Sequence, residues 1–301
     1  MLSILIPTYN YVCAHLVCEL QKQCEEVQAM LMGFEYEIIV ADDGSTDVEA
    51  ITKNAVIDCL PHCRYEMREK NFGRAAIRNW LVNESRGEWL LIIDSDAEVI
   101  SDEFILNYWR KTQDEGAIVV GGLKTPAMCD KGCELRHRYE QAATAMRTVE
   151  ARRNNPAMFF STFNFLCPRC ILQEIPFDER CVEYGYEDAL MGIEAEKRGV
   201  PIIHIDNPLL HLGINSNASF LQNSEAALRT LKHLGPPMTD RARVAQAAVR
   251  LQQSLFQRWF VATPLLLLYR ATRPLLRRNL LSSHPHLGIF AFYKLGYYMS
   301  L

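Results

Sequence analysis

The sequence predicts an α/β fold in which a mostly parallel sheet is flanked by helices. Three observations indicate this class. Short apolar runs alternate with amphipathic stretches over the first 205 residues, several of these runs are uninterrupted, and turn-forming polar strings follow them. Alternating strands and helices are typical of parallel sheets, whose strands are buried on both faces. From about residue 215 the pattern predicts helices only.

Six strands are predicted. They are short, apolar and rich in β-branched or aromatic residues, and they lie at residues 3–7, 37–41, 89–93, 117–121, 159–166 and 201–205. Helices are predicted where apolar residues recur every three or four positions, at residues 16–31, 74–85 and 187–198, the last ended by Gly199. Residues 122–138 show no period, so we expect a flexible loop there.

Helical patterns alone continue toward the C-terminus. Apolar faces predict helices at residues 220–231 and 244–259, and Pro264 and Pro274 are expected to break the remainder into short pieces. A domain boundary is therefore predicted near residue 212. The expected parts are a domain of residues 1–212, with halves of about 1–100 and 101–212, and a helical region of residues 213–301.

The composition is that of an ordinary globular protein. Of 301 residues, 49% are hydrophobic and 23% are charged, which excludes a disordered, collagen-like or low-complexity chain. No apolar run reaches the roughly 18 residues of a membrane span and no signal peptide is evident, so a cytoplasmic protein is expected. The ten cysteines are expected to be free thiols. The alternative is a zinc site formed by Cys129, Cys133, Cys167 and Cys170.

Charge is distributed unevenly along the chain. Residues 241–301 contain nine basic residues and no acidic residue, whereas residues 1–240 contain 23 basic and 36 acidic residues. The basic part is also rich in aromatic and leucine side chains. This composition suits an anchor on an anionic membrane, and the alternative is a helical cap on the first domain or a homodimer contact. No recognition motif indicates a nucleic-acid partner.

Polar strings follow three predicted strands. They are Pro7-Thr8-Tyr9-Asn10, Asp42-Asp43-Gly44-Ser45 and Asp94-Ser95-Asp96. Ligands of parallel sheets bind beyond the carboxyl ends of the strands, so the three strings are expected to meet. Carboxylates spaced as Asp-x-Asp supply hard oxygen ligands for Mg²⁺ or Mn²⁺, ions that also bind phosphates. A metal–diphosphate site is predicted, and the alternative is that each aspartate caps a helix or a turn.

Taken together, these motifs resemble family 2 glycosyltransferases over about residues 1–212. The resemblance rests on residues 4–10 and 37–47, on Asn71-Phe72-Gly73 with Arg78-Asn79, on Asp94-Ser95-Asp96, and on residues 184–188, in this order. It implies the GT-A fold of nucleotide-diphospho-sugar transferases, a Rossmann-like, mostly parallel sheet flanked by helices, here with a helical C-terminal extension.

The resemblance also implies a nucleotide pocket. Pro7, Thr8 and Tyr9 would line the base pocket, usually for uridine, and Asp42 would hydrogen-bond the base or the ribose. An aromatic ring can stack on a base and a carboxylate can accept from a ring N–H, so the assignment is chemically sound. Asp43 is expected to order the turn.

Further roles concern the diphosphate and the metal. The resemblance implies that Arg78 lies on the diphosphate side, that Asp94 touches ribose, and that Asp96 binds Mn²⁺ or Mg²⁺. His211 follows the last strand, where several relatives place a ligand of the metal or the diphosphate. The alternatives are a solvated helix charge for Arg78 and a structural, hydrogen-bonded histidine for His211.

The Glu187-Asp188 pair resembles the catalytic Glu-Asp motif of the family. Asp188 is the expected general base and Glu187 its acceptor-orienting neighbour, although the two could exchange roles. A neighbouring carboxylate disfavours double ionisation and can raise one pKa toward working pH. The alternative is a pair of acids that complements the helix dipole. Asn164, Phe165 and Tyr186 are expected to line the donor-sugar or acceptor pocket.

The sequence thus predicts a metal-dependent, inverting hexosyltransferase that moves one sugar from a UDP-sugar to a saccharide or lipid-linked saccharide in cell-envelope polysaccharide biosynthesis. It would be cytoplasmic or peripheral on the cytoplasmic face of the inner membrane. The Gln-x-x-Arg-Trp motif of processive synthases is missing, which favours single addition. One alternative is a non-catalytic sugar-nucleotide-binding or scaffold protein. Another is a sugar nucleotidyltransferase, which would need a glycine-rich phosphate loop where Pro7-Thr8-Tyr9-Asn10 stands.

Overall fold

The computed structural model of the protein describes residues 1–113, 116–181, 184–236, 238–254 and 257–301. The chain forms two compact units. The first unit comprises Met1–Pro126, Met146–Val182 and Glu187–Gly213, and the second comprises Ala127–Ala145, Glu183–Tyr186 and Ile214–Leu301.

The first unit is built around a seven-stranded sheet. The strands of this unit are β1 (Leu2–Thr8), β2 (Tyr36–Asp42), β3 (Cys63–Met67), β4 (Trp89–Ile93), β5 (Ala97–Glu98), β6 (Ile118–Val120), β7 (Leu123–Lys124), β8 (Asn164–Pro168), β9 (Ile202–His204) and β10 (Leu209–His211). The large sheet has the order β3-β2-β1-β4-β8-β6-β9, and β8 alone runs antiparallel to its neighbours. A small sheet has the order β5-β10-β7.

Helices cover both faces of the large sheet and form most of the second unit. They are α1 (Ala14–Met30), α2 (Val48–Asn54), α3 (Arg74–Glu84), α4 (Phe104–Trp109), α5 (Glu134–Met146), α6 (Val149–Asn154), α7 (Arg169–Glu174), α8 (Glu187–Lys197), α9 (Asn217–Leu234), α10 (Met238–Arg241), α11 (Arg243–Gln252), α12 (Thr263–Leu280) and α13 (Leu287–Ser300). Adjacent residues of β1 face opposite sides of the sheet, and Ile4 and Leu5 are fully buried in two separate apolar clusters. The mostly parallel α/β fold is confirmed.

Several elements differ from the sequence-based expectation. The strand β3 was not predicted, because it lies at the sheet edge and its Arg64 and Glu66 form an ion pair at 3.1 Å instead of an apolar pattern. The strands of the small sheet have two or three residues, too few to show a period. The expected loop at 122–138 is wrong in its last part, since α5 begins at Glu134.

The second unit has its own apolar core. Side chains from α5, α9, α12 and α13 meet there, and the buried ones are Leu135, Phe220, Leu221, Tyr269, Leu280, Phe290 and Tyr293. Much of the aromatic content of the basic region is therefore packed inside this unit. None of the helices in the described ranges combines the length and the apolar character of a membrane span.

The expected interruption of the C-terminal region by proline is wrong. Pro264 lies in the first turn of α12, directly after a π-helical segment at Arg258–Ala262, so the chain is already helical where this proline stands. Pro274 lies inside the same helix, which continues to Leu280 because its buried face anchors it in the core. Of the predicted helix at 244–259, α11 covers the first part, Leu255 lies outside the described residues, and Trp259 is exposed.

Candidate active site

The carboxyl ends of β2, β1 and β4 lie side by side, as three parallel neighbours of the sheet. The loops that follow β1 and β2 are tied together by Asn10, which has a φ of 50°. Its Oδ1 accepts hydrogen bonds from the N–H groups of Thr46 at 2.8 Å and Asp47 at 2.9 Å, and its own N–H donates to Ser45 Oγ at 2.7 Å. Two of the three polar strings therefore form one connected edge.

At this edge Tyr9 has the most accessible ring. It is 46% exposed and can offer an aromatic face to a ligand, whereas Pro7 is half-buried and Thr8 is buried with its hydroxyl donated to Tyr11 O at 3.2 Å. Asp42 is fully buried, and its carboxylate accepts from Ser45 N at 2.7 Å and from the hydroxyl of Tyr65. A ligand would have to use the remaining lone pairs of Asp42.

Asp43 orders its surroundings, as the sequence suggested. Its two carboxylate oxygens accept from Phe72 N and Gly73 N, both at 2.9 Å. The residues before α3 are thereby fixed against the end of β2. The start of α3, with Arg74 as its first residue, is held at the same edge.

Arg78 is buried between acidic groups. Only 2% of it is exposed, and its Nη2 donates to Asp94 Oδ1 at 2.7 Å while Nη1 lies 3.8 Å from Glu187 Oε1. The guanidinium also lies 5.6 Å from the centre of the Phe177 ring. The alternative of a solvated helix charge is wrong. In this structure the contacts of Arg78 are with carboxylates, so it neutralises them and fixes their positions.

Asp94 and Asp96 stand directly after β4. Asp94 donates its N–H to Phe163 O at 3.0 Å. Burial raises the pKa of the Asp94 carboxyl above the usual aspartate range, Arg78 partly opposes this rise, and Asp96 adds to it. Two neighbouring carboxylates thus have different environments, and Asp94 is the one that contacts a buried arginine.

Asp96 is paired with His211. The antiparallel register of β5 and β10 places His211 opposite Ala97, so its Nε2 lies 3.2 Å from Asp96 Oδ2. Burial opposes ionisation of Asp96, but the hydrogen bond and charge of His211, with the charge of Arg74, lower its pKa. A side chain at Gly213 would overlap the Asp96 carboxylate, so this close approach requires glycine.

Glu187 and Asp188 begin α8, and their environments differ. Glu187 is buried, with its Oε1 3.7 Å from Arg74 Nη1 and 3.8 Å from Arg78 Nη1. Asp188 forms no ion pair with any side chain in the described part of the chain. Burial and the adjacent Glu187 charge raise the pKa of Asp188 to about 6.

Arg74 is a residue close to these carboxylates that sequence reasoning missed. Its side chain is 56% exposed, and its positive charge acts on Asp94, Asp96 and Asp188 as well as on Glu187. It is therefore the accessible cation of the carboxylate cluster. The sequence signal for Arg74 was its position as the first residue of a helix, directly after Asn71-Phe72-Gly73.

The three residues expected to line a sugar pocket have other surroundings. Phe165 is fully buried in the core, and Asn164 is 1% exposed with its amide donating to Gly122 O at 2.5 Å. Neither side chain is exposed to a pocket in this structure, which corrects the expectation that they line one. Tyr186 belongs to the second unit and has a φ of 74°, a strained value for a non-glycine residue. Burial, Tyr139 and Tyr298 raise the pKa of Tyr186 to about 12.

The chemistry of this site fits a divalent cation. Asp96 and His211 bring a carboxylate oxygen and an imidazole nitrogen together, and this donor pair suits Mn²⁺. Within the described ranges, no three His, Cys, Asp or Glu side chains gather as a preformed metal site. A bound cation would therefore take its other ligands from substrate oxygens and water. The ten cysteines are free, and no zinc site is found among the described residues.

Sequence comparison identifies a family for the N-terminal part of the chain. The sequence model described as "Glycosyl transferase family 2" matches residues 3–176. The succinoglycan biosynthesis protein ExoO of Rhizobium meliloti (strain 1021) is 26% identical over 154 residues, which are 49% of this chain and 44% of ExoO. Glycosyltransferase GlyG of Streptococcus pneumoniae serotype 4 is 29% identical over 122 residues, 40% of this chain and 38% of GlyG. The chain thus spans less than half the length of both relatives.

Structural comparison finds the same fold in solved proteins. The mannosyltransferase PcManGT from Pyrobaculum calidifontis, solved with GDP-Man and Mn²⁺, has a TM-score of 0.55 and 16% identity over 99% of this chain and 84% of its own. Glucosyl-3-phosphoglycerate synthase from Mycobacterium tuberculosis, solved with Mn²⁺, UDP-glucose and glycerol 3-phosphate, has a TM-score of 0.52 and 19% identity over 77% of this chain and 79% of its own. The fold is therefore GT-A.

Proposed function

The chain belongs to glycosyl transferase family 2, and from this premise we propose that it moves one sugar from a UDP-sugar to a saccharide or lipid-linked saccharide acceptor, with inversion at the anomeric carbon. The observation that carries the proposal is the carboxyl of Asp188, whose pKa of about 6 suits a general base. It is adjacent to Glu187, which lies within ion-pair distance of Arg74 and Arg78, and Arg78 also contacts Asp94.

Asp188 is the proposed base of the transfer. It takes the proton of the acceptor hydroxyl while that oxygen bonds to the anomeric carbon, and the bond from this carbon to the diphosphate oxygen breaks. The nucleoside diphosphate departs with the electron pair. Glu187, whose charge is engaged by Arg74 and Arg78, is less suited to accept a proton, so its proposed role is to orient the acceptor.

The departing diphosphate needs positive charge. Arg74 is the exposed cation of the cluster and is proposed to contact the diphosphate, while the buried Arg78 keeps Asp94 in place. Asp96 and His211 are the residues that would hold Mn²⁺ or Mg²⁺. When bound, this ion would neutralise part of the diphosphate charge. The exposed ring of Tyr9 is proposed to stack on the base, and Pro7, Thr8, Asp42 and Asp94 complete the proposed base and ribose pocket.

The proposed setting is polysaccharide biosynthesis in the cell envelope, on the cytoplasmic side of the membrane. The likeness to ExoO, described as a succinoglycan biosynthesis protein, supports this setting. A non-catalytic sugar-nucleotide-binding protein is the main rival. Such a protein would not require a carboxyl of raised pKa beside Glu187. A nucleotidyltransferase is disfavoured because the loop after β1 is tied to Ser45 and Thr46 and has no glycine-rich phosphate cradle.

The proposal is tested by calorimetric titration of the protein with UDP, GDP, CDP and dTDP, each with and without Mn²⁺. We expect selective binding of UDP that strengthens with Mn²⁺, because an ion held by Asp96 and His211 would complete its coordination with diphosphate oxygens. Selective binding of another nucleotide would refute the UDP-sugar donor. Failure of the folded protein to bind any of the four would refute the transferase proposal.

Two variants assign the contacts in the same titration. Asp96→Ala is expected to abolish the effect of Mn²⁺ on UDP affinity. Arg74→Gln is expected to weaken UDP binding about tenfold, because a charge-assisted contact to the diphosphate is lost. Arg110→Gln is the matched control, since it removes an exposed arginine of the first unit that is not part of this cluster.

A further inference from the structure

Exposed apolar side chains lie along one side of α12. Leu267, Leu268 and Leu275 are 54–65% exposed, and in a helix their spacing places them on one face. Trp259, in the π-helical segment Arg258–Ala262 before α12, is 66% exposed. The opposite face of α12 packs Tyr269 and other side chains into the core of the second unit. The helix is thus apolar on two sides, and described residues cover only one of them.

Arginines flank these apolar side chains. Arg258, Arg270 and Arg278 are exposed, and no carboxylate in the described ranges forms an ion pair with them. Two other arginines of α12 do have an acidic partner, since Arg273 and Arg277 lie 3.7 and 2.9 Å from Glu225. Across residues 241–301 no acidic residue could supply such a partner locally. Exposed cations beside exposed leucines suit a ligand that is both anionic and apolar.

We propose that the outer face of α12, formed by Leu267, Leu268, Leu275, Arg270 and Arg278, binds the surface of an anionic phospholipid bilayer together with Arg258, which lies in the π-helical segment Arg258–Ala262 before α12. The leucines would enter the boundary between headgroups and acyl chains, and the arginines would contact lipid phosphates. The helix lies in the interface and does not span it. The purpose of this binding rests on the proposed function, since a lipid-linked acceptor would lie in the membrane. The binding itself needs no sugar substrate.

A second copy of the chain is a poorer occupant for this face. Symmetric pairing would bring the same surface of both copies together, so arginines would face arginines with no acidic residue of 241–301 between them. A polyanion without apolar groups would leave the leucines in water. A bilayer of anionic lipid offers acyl chains to the leucines and phosphates to the arginines.

The test is co-sedimentation of the full chain with vesicles of phosphatidylcholine and phosphatidylglycerol, and with vesicles of phosphatidylcholine alone. Wild-type protein is expected to bind the anionic vesicles, and to bind them less well as salt is raised. Leu267→Gln/Leu268→Gln/Leu275→Gln keeps good helix formers on exposed positions and is expected to weaken binding about tenfold or more. Arg258→Gln/Arg270→Gln/Arg278→Gln is expected to weaken it about a hundredfold, at about 1 kcal/mol for each arginine.

A matched control removes three exposed apolar residues of the first unit. Met30→Gln/Met32→Gln/Val56→Gln is expected to bind vesicles like the wild type. Absence of wild-type binding to anionic vesicles, or unchanged binding by the leucine variant, would overturn the proposal. So would a concentration-dependent dimer, measured by sedimentation velocity, that the leucine variant dissociates. Since no nucleotide is added, failure here leaves the UDP titration unaffected, and UDP affinity of the variants confirms that they are folded.

Discussion

Replacing Asp188 by asparagine should inactivate the enzyme and stabilise its fold at the same time. The Asp188 carboxyl has a pKa of about 6 in the folded protein, against 3.8 for an unperturbed aspartate. One unit of pKa corresponds to about 1.4 kcal/mol, so the ionised carboxylate costs the folded state about 3 kcal/mol at neutral pH. The neutral amide of the Asp188→Asn variant would remove this cost while keeping nearly the same shape.

The sign of the effect follows from proton binding. Between about pH 4 and pH 6 the folded state holds a proton on Asp188 that the unfolded state has already lost, so this group lowers stability as pH rises through that window. Below it, both states are protonated and the cost disappears. Asp188→Asn should therefore raise the free energy of unfolding by about 3 kcal/mol at pH 7.5 and change it little near pH 3.5.

Urea denaturation of both proteins at these pH values measures the difference, with Asp102→Asn as a control at an exposed aspartate. Turnover measured in parallel should fall about 100- to 10,000-fold, the usual contribution of a general base, with UDP affinity almost unchanged. A variant that is less stable than the wild type at pH 7.5 would refute the electrostatic reasoning. Unchanged turnover would refute the assignment of Asp188 as the base.

Three further predictions concern the same cluster. Glu187→Gln should have the opposite effect on stability, a loss of about 1–3 kcal/mol in urea denaturation, because it removes a buried partner of Arg78 and Arg74. The kcat/KM of transfer should fall with decreasing pH below about 6 as Asp188 becomes protonated, and a flat profile would contradict this. Gly213→Ala should displace Asp96 and reduce the Mn²⁺ enhancement of UDP affinity at least about tenfold in calorimetry, whereas a wild-type enhancement would show that the overlap is relieved elsewhere.

The sequence predicted those parts of the fold that depend on local pattern. The strand β4 could be predicted because a strand buried on both faces is a continuous apolar run. The loops after β1, β2 and β4 could be predicted because turns favour particular polar residues. The strand β3 and the small sheet have no such pattern. An edge strand tolerates charged residues such as Arg64 and Glu66, and a strand of two residues is too short to show a period.

Partners across the site were beyond sequence reasoning for a different reason. The contact of His211 with Asp96 depends on the register of β10 against β5, and the burial of Arg78 depends on how α3 sits on the sheet. Neither quantity is encoded in a local spacing. The same limit applies to Asn164 and Phe165, which stand in a matching segment of the sequence but point into the protein interior.

The arrangement of charge gives the site a physical logic. Burial and neighbouring carboxylates raise the pKa of Asp94 and Asp188, so ionisation of these two groups destabilises the folded protein. The buried Arg78 donates a hydrogen bond to Asp94. Arg74 is exposed, so its side chain can exchange its contact with Glu187 for a contact with a ligand. A diphosphate bound there would draw Arg74 away from Glu187 and thereby add to the negative potential at Asp188. Donor binding would then strengthen Asp188 as a base at the moment when the acceptor needs one, which links nucleotide recognition to proton removal through a single arginine.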